Sequence, residues 1–316
     1  MSVADGTGAD TARLPPAFET YAGEPLAQAP AAGPGKNGLL EATFARAGEG
    51  PTRLVRDRAE VPYHHTGTLD TDPVPGLATL VAQEPTGGVA QGDRHRMRLE
   101  TQSGARAHVT TQSATKVHSM DANYAHLDAA LSVEAGSVLE YVPGPTIVNE
   151  DARCLQTVSV DLADGAVAIV ADVLVPDGLS DHDPFSFDHY HSRVEARHDD
   201  RLVCADAVDL RPAKLDPRDP ASVGEYGVVG SLYVFAPDGN DGCGALVETI
   251  RERLATLESE SDRSVHAGVS ALPCEAGAVV RLLGHREADV TGALRAAWDE
   301  TRQELLGVGA PADRRY

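Results

Sequence analysis

The sequence predicts a mostly β fold: one β-rich domain, β-helix-like or a distorted sandwich, with two α-helices late in the chain. Three observations predict it. Short segments with strand character follow one another from Leu39 to about Lys214. Gly, Pro and Asp turn signals separate them, with no helix between. The hydrophobic period changes from two to 3.6 only near the end.

Taken in order, residues 1–38 are rich in Ala, Gly and Pro and lack sustained periodicity. They are expected to form an irregular or flexible N-terminal arm, with LPPAFETY able to dock as an extended piece. Residues 39–316 form the β-rich domain. Its strands include AHVTTQ (107–112), HLDAALSV (126–133), SVLEYV (137–142), CLQTVSVDL (154–162), AVAIVADVLV (166–175) and RLVCADAVDL (201–210). Turns fall at GG (87–88), AGS (135–137), PGP (143–145), ADG (163–165) and PDG (176–178). Leu246, Ile250, Leu254 and Leu257 share one helical face, which predicts a helix over about 244–258. Strands follow at 264–272 and 277–283. Val290, Leu294, Ala297, Trp298 and Leu305 predict a second helix over 287–306. No internal repeat is strong enough to count.

Charge is the strongest compositional signal. The 316 residues carry 48 acidic and 27 basic side chains, a net charge of -21, and only Lys36, Lys116 and Lys214 are lysines. High salt screens the self-repulsion of such a chain, so the composition points to a halophilic source. It excludes nucleic acid as a partner class. No run approaches the roughly 20 apolar residues of a membrane helix, and the acidic start MSVADGTGAD is no secretory leader. A cytoplasmic protein is expected. Cys154, Cys204, Cys243 and Cys274 form no CxxC pair and are expected to be buried or half-buried thiols.

Several residues invite a chemical reading. GGVAQGD (87–93) lacks the GK[ST] of a phosphate loop. It reads as a tight turn, with Gly92 in an unusual backbone angle and Asp93 either bonding the turn or lining a polar cavity. TTQSATKVHS (110–119) crowds Thr110, Thr111, Ser113 and Thr115 before Lys116. Ser113 and Lys116 have the spacing of a hydrolase dyad, but that pair belongs at a helix start and this stretch reads as strand and turn. A structural hydrogen-bond network is the favoured reading, with Lys116 pairing a carboxylate such as Glu140 or Asp93. Glu140 faces away from its strand neighbours Leu139 and Tyr141, toward solvent or a polar interior. His189 and His191 would point to one face of a strand, a usable metal-ligand pair, with Asp183 or His182 as the third group. The alternative function is therefore a metallohydrolase built on His189, His191 and Asp183. The residues alone yield no convincing active site, which favours a binding or scaffold role.

The ordered set GGVAQGD, TTQSATK and LEYVPGPTIVNE resembles the UreD (UreH) family of urease accessory proteins. LLEATFARAGEGPTRLVR upstream, FSFDHYHSR and RLVCADAVDLRP in the middle, and GVSALP, VVRLLG and AAWDETR near the end extend the resemblance over about residues 39–306. The resemblance implies a mostly β, β-helix-like fold with two helices and no enzymatic activity. It implies a complex with the helical accessory protein UreF and the GTPase UreG that docks on apo-urease. Nickel would then reach the urease active site through a water-filled passage, with no tightly bound cofactor and Ni2+ only in transit. In that picture Asp93, Glu140 and Asp183 are candidate passage carboxylates, and Thr110, Thr111 and Lys116 shape the wall. His118, His189 and His191 are candidate metal contacts. Leu179 stands where the family has an arginine, so a salt bridge made by that arginine is not expected here, and Asp183 stands in place of the family's glutamate.

Overall fold

The computed structural model describes residues 14–26, 35–177, 183–238, 242–260 and 265–312. A short helix α1 (Pro16–Ala22) comes first, followed by strands β1 (Asn37–Arg46), β2 (Thr52–Glu60), β3 (Thr68–Leu69), β4 (Ala78–Ala82), β5 (Arg94–Thr101), β6 (Arg106–Thr111) and β7 (Thr115–Val117). Next come β8 (Ala125–Val133), β9 (Val138–Tyr141), β10 (Thr146–Val148), β11 (Arg153–Leu162), β12 (Val167–Pro176), β13 (His189–His198), β14 (Arg201–Leu210) and β15 (Val228–Phe235). Helix α2 (Gly242–Glu260), β16 (Val265–Ala271), β17 (Gly277–Gly284) and helix α3 (Glu287–Leu306) close the chain. The β-rich class and both late helices match the sequence expectation.

The strands form two sheets, of seven strands in the order β14-β13-β11-β8-β5-β1-β2 and of ten strands along the path β16-β17-β15-β12-β9-β6-β4-β3, with β7 and β10 beside it. From β4 to β13 the long strands alternate between the sheets, and neighbours within each sheet run parallel. That is a two-sided coil, each turn adding one strand to each sheet. Gly104, Gly136 and Gly165 sit at equivalent corners with left-handed backbones, and the corners stack by hydrogen bonds from Gly104 N to Ala135 O and from Gly136 N to Asp164 O. The coil repeats in backbone without repeating in sequence, because only the corner glycine and the alternation of inward apolar residues are required.

An apolar cluster of inward side chains, among them Leu40, Phe44, Leu80, Leu99, Val109, Leu131, Leu139, Val160 and Val170, fills the space between the sheets. The outer face of the ten-stranded sheet packs Ile169, Leu232, Val280 and Leu282 against Ile250 and Leu254 of α2 and Val290, Leu294 and Trp298 of α3. A Cβ at Gly230 would lie 2.7 Å from Val290, so glycine lets α3 seat closely there.

The N-terminal arm differs from expectation where it is described. Residues 16–22 are helical, not extended, and Phe18 is fully buried against Tyr124 and Leu155. Pro15 and Pro16 pre-set the first turn, and one aromatic anchor suffices to dock it. β1 begins at Asn37, inside the segment read as the arm. Of the cysteines, Cys154 and Cys204 are buried and Cys243 half-buried, but Cys274 is exposed.

Candidate functional site

Five strands facing the space between the sheets each carry one polar residue in an otherwise apolar inward file. β11 presents Gln156 between Cys154 and Val158; β12 presents Asp172 between Val170 and Leu174; β13 presents Ser192 between Tyr190 and Val194. β15 and β17 present Ser231 and Arg281 in the same way. The register makes these residues neighbours. Gln156 pairs with Ser192, Asp172 with Ser231, and Ser231 with Arg281.

Hydrogen bonds then join the two sheets through this row. Gln156 Nε2 donates to Asp172 Oδ1 at 3.2 Å, and Tyr190 Oη and Ser192 Oγ donate to Asp172 Oδ2 at 3.1 and 2.8 Å. Arg281 donates to Ser231 and to Asp206 of β14, which also accepts from Tyr233 Oη at 2.9 Å. The result is a polar layer one residue thick. The main apolar core lies on one side of it, and a second cluster containing Cys154, Leu174, Tyr190 and Leu210 lies on the other.

Burial raises the Asp172 carboxyl above the ordinary carboxylate range, against the pull of its Ser192, Tyr190 and Gln156 hydrogen bonds and the Arg281 charge. Burial also pushes the Cys154 thiol up, so it is no thiolate ligand at neutral pH. The donors that remain are amide, hydroxyl and carboxylate oxygens, which hold a divalent cation weakly in the absence of a closed ligand set.

The layer opens at one end into a cavity of about 270 Å3 between the sheets, lined by Gln156, Tyr63, Tyr141, Glu84, Thr111, Ser113 and Lys116 among others. Burial raises the Glu84 carboxyl, and the Lys36 charge opposes that shift. At the other end the Asp206 and Arg281 side chains are 32% and 34% exposed. The polar row thus runs from an open cavity to the opposite flank of the sandwich.

The residues singled out in the sequence divide between this region and others. Thr111, Ser113 and Lys116 line the cavity mouth, where Thr111 Oγ1 donates to Ser113 O and accepts from Gly144 N at 2.9 and 2.8 Å. Thr110 is half-buried next to them on β6. Lys116 is exposed and pairs with neither Glu140 nor Asp93. Lys36 takes that role instead: Asp93 is 3% exposed, accepts from Lys36 N and Ala90 N at 2.7 and 2.9 Å, and lies 3.2 Å from Lys36 Nζ. Both Asp93 oxygens are therefore used to close the turn at left-handed Gly92 and to fix the start of β1. His118 is exposed and ties down the 87–88 turn through Gly87 O at 2.9 Å.

Glu140 lies on the outer face of its sheet, under α3 and away from the space between the sheets. Its Oε2 accepts from Arg302 Nη1 at 2.9 Å and lies 3.0 Å from His108 Nδ1 on the neighbouring strand. Arg302 also donates to Asp72, and His108 stacks on Trp298 with centroids 5.1 Å apart. Asp72, Glu140 and Arg302 side chains have no exposed surface. Arg302 was missed in the sequence, although it stands one turn beyond Trp298 on the apolar face of α3.

Asp183 is exposed on the loop before β13 and is not grouped with the histidines. Asp209 of β14 takes that place beside His189 and His191. The Asp183-based metal set is corrected accordingly: an antiparallel partner strand supplies the carboxylate, a relation invisible in local spacing. Leu179 and His182 lie outside the described residues.

Comparison with known proteins gives a consistent picture. The family model described as UreD urease accessory protein matches residues 36–315. A Urease accessory protein UreD from Natronomonas pharaonis is 66% identical over 96% of this chain and 99% of its own length. One from Haloquadratum walsbyi is 55% identical over 94% and 95%. A Urease accessory protein UreD 2 from Brucella suis is 29% identical over 92% and 95%. The first two come from halophilic archaea, in keeping with the acidic, lysine-poor composition.

Proposed function

The chain belongs to the UreD urease accessory protein family, and on that premise we propose that it serves urease maturation as a scaffold for nickel incorporation, working with UreF and UreG on apo-urease. The reading has Ni2+ cross this subunit in transit, through the polar layer between the sheets, without a resident metal. The observation that carries it is the row of polar side chains from the cavity at Gln156, through Asp172 and Ser192 and, by strand register, Ser231, to Arg281 and Asp206 at the far flank. A pathway must bind its cation strongly enough to admit it and weakly enough to release it. Scattered oxygen donors on opposed strands suit that requirement, and a closed cage of imidazoles or thiolates would not. Arg281 and its partner Asp206 set the charge at the exit. They favour passage when the guanidinium stays on Asp206 and oppose it when that pair opens.

The cytoplasm is the compartment this role requires. Among the described residues no helix is long and apolar enough to cross a membrane. The reading is tested by deleting the chain in cells given ordinary nickel and measuring metal in purified urease. Urease should be made but hold little nickel, and re-expressing the chain should restore it. Fully loaded urease in the deletion strain would end the reading.

A further inference from the structure

A second convergence of polar side chains lies outside the interior layer, on the outer face of the seven-stranded sheet. His189 and His191 of β13 project to that face, and antiparallel β14 sets Asp209 directly opposite His191. Asp209 Oδ1 lies 2.6 Å from His189 Nε2 and 3.4 Å from His191 Nδ1. One ligand atom from each residue falls within 4.8 Å of the others. The His191 Nδ1 atom is buried and forms no hydrogen bond, although it is aimed at the carboxylate. A buried polar atom left in that condition is costly unless something joins it to its neighbours.

Arg211 now supplies the positive charge at this point. Its Nη2 donates to Asp209 Oδ2 at 3.0 Å, and its Nε stands 3.1 Å from His189 Nε2. The Arg211 side chain is 24% exposed, so its guanidinium has a route into water. Helix α1 roofs the cluster. The Phe18 ring lies 4.5 Å from the His189 ring, and Glu24 just beyond the helix is held by Arg153 at 2.6 Å.

We propose that His189, His191 and Asp209 form a low-affinity site for a first-row divalent cation, in which the ion displaces Arg211 from Asp209 beneath the roof of α1. Two imidazoles and one carboxylate are a donor set that Ni2+, Co2+ and Zn2+ accept. Metal–nitrogen bonds of about 2.0–2.1 Å set adjacent ligand atoms roughly 3–3.4 Å apart. The His191–Asp209 distance already has that value, and the His189–Asp209 distance must open by a few tenths of an ångström. Arg211 sets the affinity low, because each arriving ion must replace a guanidinium that is already paired. The site is separate from the interior layer, and its presence or absence leaves the passage reading untouched.

The test uses the full chain in high-salt buffer with Co2+ as a visible-absorbing probe, followed by equilibrium dialysis with Ni2+ and Zn2+. The unaltered chain should bind one Co2+ with absorption typical of nitrogen and oxygen donors. H191Q and D209N should each weaken binding by about tenfold or more, a scale that even outer-shell losses reach at metal sites. R211Q should strengthen it severalfold, a change of sign that simple damage to the fold would not produce. Asp209 is exposed, so D209N tests the site even where H191Q unfolds. Binding unchanged in D209N, or weakened in R211Q, would overturn the proposal.

Discussion

The two faces of the ten-stranded sheet bury charge in opposite ways. On the outer face, Glu140, Asp72, Arg302 and His108 form a closed clamp that fastens α3 to the coil, with no exposed carboxylate or guanidinium surface. On the inner face, Asp172 belongs to an open row of hydroxyl, amide and charged groups that begins at a cavity and ends at a partly exposed Arg281–Asp206 pair. A buried carboxylate is therefore not by itself a mark of a cation route. Connection to a cavity and to solvent decides, and by that criterion Asp172, not Glu140, is the carboxylate to follow.

The sharpest way to break this comparison is R302L. Removing one partner of a buried ion pair strands the other charge and costs about 3–5 kcal/mol. The urea midpoint of the purified chain should fall steeply, and an unchanged midpoint would show that the clamp does not hold α3. Next in size is D93A. It removes the acceptor for two backbone N–H groups and the Lys36 ammonium, and hydrogen bonds to charged groups contribute about 1.5–3 kcal/mol. Its unfolding midpoint should drop while nickel loading of urease by the remaining folded chain stays normal. Lost loading in a chain of full stability would return Asp93 to the passage.

A third prediction concerns pH. Burial holds His95 down at about 4, with Asp93 pulling up and Lys36 pushing down. An unfolded imidazole titrates near 6.5, so from there down to about 4 the unfolded chain binds a proton that the native chain refuses. The neutral native form is favoured above that window, and its stability is lost as pH falls through it. His126 and His189 are lowered in the same way. H95L should therefore lose less stability than the unaltered chain between pH 7 and pH 5 in urea titrations. Parallel losses in both proteins would contradict the assignment. The smallest effect belongs to K116A. Its exposed side chain lines only the cavity mouth, so stability should stay within about 0.5 kcal/mol in the same assay.

Much of the fold was legible in the sequence because alternation and turn chemistry are local. The strand at 153–162 and the helix at 287–306 follow from period alone. The interior layer was not read, although its signal was present: Gln156, Asp172, Ser192 and Arg281 each interrupt an apolar inward file. An isolated polar residue in one strand looks like noise, and only the register between strands turns five of them into a row. The same limit misassigned Lys116 and Asp183. Lys36 and Asp209, their actual counterparts beside Asp93 and the two histidines, are supplied by pairings that local spacing does not encode. The strand-and-turn character expected of the TTQSATK block is observed: it spans the end of β6, a turn and the start of β7, with Ser113 and Lys116 at the cavity mouth.

The central claim is that nickel passes along the inner row, and D172N tests it most directly. The substitution keeps the shape of the side chain and removes the charge at the middle of the layer. Urease purified from cells carrying D172N should hold severalfold less nickel than normal, while UreF and UreG still co-purify with the chain and its urea midpoint stays within about 1 kcal/mol of the original. Urease fully loaded with nickel in the D172N strain would contradict the account.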